Sequence, residues 1–81
     1  MARGAKRLTC REALARLKKY GVVEARQSGS HIILLKPEAP GSTKGRTAPL
    51  PCHDQGSEVN PHILRAVLRR LGIGEEDFWK E

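Results

Sequence analysis

The apolar residues of this chain change their period twice, and that change constrains the fold more than any other feature. Cys10, Ala13, Leu14 and Leu17 recur at i, i+3, i+4 and i+7, which makes one stripe of an amphipathic helix. Thr9 and Glu12 have the spacing of a capping box that opens this helix, and Gly21 supplies its stop. From Val22 onward the helical period is lost. Val22 to Gln27 and Ser30 to Lys36 read as strands, and the Ser28-Gly29 link suits a hairpin turn. Lys36 to Arg46 carries Pro37, Pro40, Gly41, Ser42 and Gly45, so it reads as a mobile loop. Thr47 to Cys52 is a third strand, pushed to a sheet edge or shortened by Pro49 and Pro51. The helical period then returns. Asn60 caps, Pro61 takes the first helical position, Leu64, Val67, Leu68 and Leu71 form the stripe, and Gly72 ends it.

The order α-β-β-β-α predicts an α+β fold in which two helices cover one face of a three-stranded antiparallel sheet. This is the arrangement of a double-stranded-RNA-binding domain. Residues 1–8 read as a flexible basic arm and 9–81 as one domain, with Glu75 to Trp79 adding a last turn that docks Phe78 or Trp79. A chain of 81 residues leaves little room for a deep cavity, so any chemistry belongs on an open face.

Charge narrows the function classes. The chain carries a formal +6, concentrated in residues 1–20 and in Arg65, Arg69 and Arg70, while residues 74–81 are acidic. A basic surface attracts polyanions, although the same cations also serve as a solvated helix face. The longest apolar run, Ile32 to Leu35, is far short of a membrane span, and no apolar segment follows the basic start. No membrane association and no secretory signal are therefore expected. Cys10 and Cys52 are too few for a disulfide scaffold and fit a reducing cytoplasm. Without a Cys-x-x-Cys spacing, they and His53 or His62 are not expected to form a metal site.

The segment Arg26-Gln27-Ser28-Gly29-Ser30-His31 holds the candidate chemistry. Strand alternation sets Ser30, Ile32 and Leu34 on one face and His31, Ile33 and Leu35 on the other. If Ile32 and Leu34 face the helices, His31 stands open to solvent with Arg26 beside it. Imidazole is the side chain that changes charge near neutral pH. Its bland role here is a polar residue flanking a turn. Ser30 more simply caps the hairpin than assists catalysis, and His53 is either a second acid or an exposed loop histidine. His62 reads as a surface residue. Ile33 and Leu35 on an open face call for a cover: the long loop, a protein partner, or a second copy of the chain as a homodimer.

Several pieces, in order, resemble the HicA family of toxin RNases from HicA–HicB toxin–antitoxin pairs. They are Leu17-Lys18-Lys19-Tyr20-Gly21, the Gln27-Ser28-Gly29-Ser30-His31 hairpin, Pro51-Cys52-His53, the run Leu64-Arg65-Ala66-Val67-Leu68-Arg69-Arg70-Leu71-Gly72-Ile73, and Glu76-Asp77-Phe78. The resemblance covers Thr9 to Trp79. It implies a double-stranded-RNA-binding-like fold, mRNA cleavage without a metal or other cofactor, His31 as the catalytic residue, and a HicB-like antitoxin that covers it. Ile32 replaces a second histidine common in that family, Ile63 replaces a threonine, and the loop from Pro37 to Thr47 is longer than usual.

The chemistry expected of His31 is proton abstraction from the RNA 2′-hydroxyl. Arg26 is the nearest cation in sequence for the developing phosphorane charge, followed by Lys36 and Lys44. Residues Arg26 to Ser30 with Lys36 and Lys44 make up the expected RNA contact. The rival readings are a non-catalytic RNA-binding module and a degenerate toxin kept for partner binding.

Overall fold

The computed structural model describes residues 7–54 and 56–80. Its elements are α1 (Cys10–Lys18), β1 (Val23–Ser28), β2 (His31–Pro37), β3 (Gly45–Pro51), α2 (Pro61–Leu71) and α3 (Glu75–Lys80). The strands form one antiparallel sheet in the order β1-β2-β3, so the expected αβββα architecture is present.

Local chemistry sets the helix boundaries. Thr9 Oγ1 accepts from the Glu12 N–H at 3.2 Å, and the Thr9 N–H donates to Glu12 Oε1 at 2.9 Å, which completes the capping box. Asn60 Oδ1 accepts from the His62 N–H at 2.8 Å, with Pro61 in the first turn. Both helical stripes are buried and join Ile32, Leu34, Ala48 and Leu50 of the sheet in a single aliphatic core. Leu34, Leu50, Leu64 and Leu68 are each at most 1% exposed, and full burial of one such side chain stabilises by about 1.5–3 kcal/mol. The short α3 is held on α1: Phe78 is buried, Tyr20 donates to the Asp77 carbonyl at 2.6 Å, and the Arg16 guanidinium lies over the Phe78 and Trp79 rings.

Several expectations shift. The hairpin turn is Gly29-Ser30 rather than Ser28-Gly29, because Ser28 still pairs with His31. β1 and β2 therefore each begin one residue later than expected, and Ser30 belongs to the turn. β3 starts at Gly45, two residues early, because Lys36 and Pro37 find partners in Arg46 and Gly45 and zip up the loop base. Of the arm expected over residues 1–8, the first six lie outside the described residues. Leu8 is a core residue, 3% exposed, and its carbonyl accepts from the Val59 N–H at 2.7 Å.

The cysteine expectation is corrected. Cys10 and Cys52 are joined by a disulfide between the first turn of α1 and the exit of β3, with Cα atoms 6.1 Å apart. The core brings together two residues that lie 42 apart in sequence. The cysteine count consequently offers no argument for a reducing compartment. No helix among the described residues is long and apolar enough to cross a membrane.

Candidate functional site

Two local features present His31. The first is the turn. Gly29 has φ +60 while no non-glycine residue among the described ones has positive φ, the pattern of a two-residue turn with glycine leading. An L side chain at that position would be strained. Gln27 braces the turn by donating from Nε2 to the Gly29 carbonyl at 3.2 Å. The Ser30 carbonyl accepts from the Cys52 N–H at 2.6 Å, which fastens the turn to the exit of β3. This anchoring runs through the Ser30 backbone, whereas a side-chain cap was expected.

The second feature is a bulge in β1. Pairing runs Val23 with Leu35 and Glu24 with Leu34, then resumes with Arg26 opposite Ile33, which leaves Ala25 as the extra residue. In a regular ladder Arg26 would face Ile32 and share the helix side of the sheet. The bulge moves it to the face of His31, since a one-residue slip exchanges the two faces. Arg26 then lies diagonally across from His31, a relation of about 7–8 Å between Cα atoms that a long side chain can span.

His31 is exposed and Ile32 and Leu34 are buried, as the alternation predicts. Around His31 the open face presents Ser28, Arg26, Ile33, Pro49 and Pro51 by register. Val23, further along that face, is 47% exposed. Leu35 departs from the expectation, since it is only 9% exposed and Ile33 is half-buried. The open apolar surface is therefore carried by Val23, Ile33 and the prolines.

The remaining sequence candidates separate. Lys36 sits five residues along β2 from His31, roughly 16 Å at strand rise, and on the opposite face by alternation. Lys44 lies beyond it in the loop, where its carbonyl accepts from the Glu38 N–H. Neither accompanies His31. Arg16 is committed to α3, and Arg65 pairs with Glu75 at 3.0 Å. His53 and His62 are both exposed. Among the described residues no three of His, Cys, Asp and Glu gather into a metal-binding group, and both cysteines are consumed by the disulfide. Sequence reasoning missed the role of Ala25 and the disulfide. It also missed Arg46, which had no motif around it to draw attention.

An αβββα domain with an exposed histidine and an arginine on the open sheet face belongs, by architecture, with small domains of the double-stranded-RNA-binding type. Residues 10–73 match the model of a family described as HicA toxin of bacterial toxin–antitoxin. The chain belongs to the HicA toxin family, and so to the toxin side of a toxin–antitoxin partnership. Neither the curated proteins nor the solved structures gave a match to it.

Proposed function

We propose that this toxin is a metal-independent endoribonuclease that cleaves mRNA in the cytoplasm, with His31 as general base. RNA brings its own nucleophile. Neutral imidazole accepts the proton of a 2′-hydroxyl, the 2′-oxygen attacks the adjacent phosphorus, and the P–O5′ bond breaks as the leaving oxygen takes a proton from solvent. The products are a 2′,3′-cyclic phosphate and a 5′-hydroxyl. A positioned base contributes on the order of 10²–10⁴-fold. Arg26 stabilises charge on the phosphorane, and Ser28, Gly29 and Ser30 shape the rim over which the strand passes. Gln27 acts through the turn it braces.

The observation that carries this reading is the exposed His31 at the rim of a fastened hairpin, with the bulge turning Arg26 to the same face. The apolar surface of Val23, Ile33, Pro49 and Pro51 beside it suits cover by a HicB-like antitoxin, which would occlude His31 at the same time; a homodimer would use the same face. The test is incubation of the pure protein with end-labelled RNA in EDTA. Cleavage ending in cyclic phosphate, lost in His31→Ala, supports the nuclease. RNA retained intact by the wild-type protein supports a binding module instead.

A further inference from the structure

At the end of β2 opposite the hairpin, Lys36 and Arg46 are paired directly across the β2–β3 ladder. Like charges in that relation repel. No ion pair to either is present among the described residues, and Glu38 is the one carboxylate beside them. They line an open cleft of about 510 Å³ with Pro37, Gly45, Leu71 and Gly72, at the C-terminal end of α2. That size lies in the range of sites that take a nucleotide-sized group. Arg70 does not line the cleft: its Nε donates to the Thr47 carbonyl at 3.4 Å, which ties α2 to the strand next to Arg46.

The helix end accounts for part of this charge, because a cation is favoured at a helix C-terminus. It does not account for all of it. Two of the terminal carbonyls of α2, those of Arg69 and Leu68, are already served by the Gly72 and Ile73 N–H groups. Two cations against one carboxylate in the cleft lining leave an excess that an anion would balance. The backbone there is also closely packed. A Cβ at Gly45 would overlap the Lys36 carbonyl oxygen and stand 2.8 Å from the Pro37 Cα, so the absence of a side chain lets the strands meet this closely at the cleft.

We propose that this cleft is a second RNA subsite, in which Lys36 and Arg46 hold phosphodiester groups several nucleotides away from the one cleaved at His31. The proposal rests on the nuclease reading for the identity of the polyanion. It assigns Lys36 to grip on the substrate and removes it from the reacting phosphate. Short RNA engages His31 alone, whereas long RNA engages both ends of the sheet.

The experiment measures binding of a labelled single-stranded RNA of about twelve nucleotides to full-length His31→Ala protein at several salt concentrations. Lys36→Gln/Arg46→Gln in that background should lower the slope of log K against log salt by about 1.4, two contacts at roughly 0.7 each, and weaken low-salt affinity roughly tenfold. In the otherwise wild-type protein the same pair should raise KM for long RNA and leave dinucleotide cleavage unchanged. An unchanged slope in a folded double variant overturns the subsite and leaves the nuclease standing. Absence of RNA binding by the parent protein overturns both. If the double variant melts early, Arg46→Gln alone, at an exposed position, should lower the slope by about 0.7, and no change would again overturn the proposal.

Discussion

The two ends of β2 are built for different work. At the hairpin end a single imidazole stands at the rim, and the backbone behind it is fastened by the Gln27 brace, by the Cys52 N–H bond to Ser30 and by the neighbouring Cys10–Cys52 disulfide. At the loop end there is no histidine. Cations are gathered there around a cleft, and the strands approach closely where Gly45 meets Lys36 and Pro37. One end offers a group that can exchange a proton, and the other offers charge. A proton-transfer group must be held to a fraction of an ångström, whereas a point charge acting on a polyanion tolerates several ångströms and responds to salt. The covalent fastening lies at the end where position matters.

The sharpest break in this comparison comes from His31→Ala. Cleavage should fall by about 10²–10⁴-fold while RNA affinity stays within twofold, measured by single-turnover cleavage beside equilibrium binding.

Next in size is the disulfide. Closing a loop between residues 42 apart is worth roughly 4 kcal/mol in the chain-entropy account. Cys10→Ala/Cys52→Ala, or reduction, should lower the melting temperature by on the order of 15–30 °C. Cleavage of short RNA should suffer more than cleft-dependent binding, because Cys52 also holds Ser30. Equal losses at both ends would dissolve the distinction.

The smallest effects separate the two glycines. Gly45→Ala should cost about 2–3 kcal/mol and disturb the salt slope, since backbone atoms rather than a flexible side chain stand in the way. Gly29→Ala should cost about 1–2 kcal/mol for its left-handed backbone and lower cleavage with little change in the salt slope. Urea melts paired with the two activity readouts would tell them apart.

Much of this was legible because it is local. A capping box, a glycine turn and the spacing of Leu64, Val67, Leu68 and Leu71 act within a few residues, and the structure carries them out. The exposure of His31 followed from strand alternation once Ile32 and Leu34 were given to the core. The candidate cations were less legible, because proximity in sequence is a poor guide to proximity across a sheet. Arg26 and Lys36 lie equally far from His31 along the chain, and only Arg26 shares its face.

The amino-acid sequence alone determined the order of elements, the buried faces of both helices and the histidine at the hairpin, since each depends on short-range periodicity and backbone preference. Tertiary structure decided what depends on pairing between distant segments. The bulge at Ala25 swings Arg26 round, the core brings Cys10 within bonding reach of Cys52, and the zipping of Lys36 against Arg46 turns a loop base into a charged cleft. Register is settled by the sum of all cross-strand contacts, so no local stretch of residues contains it.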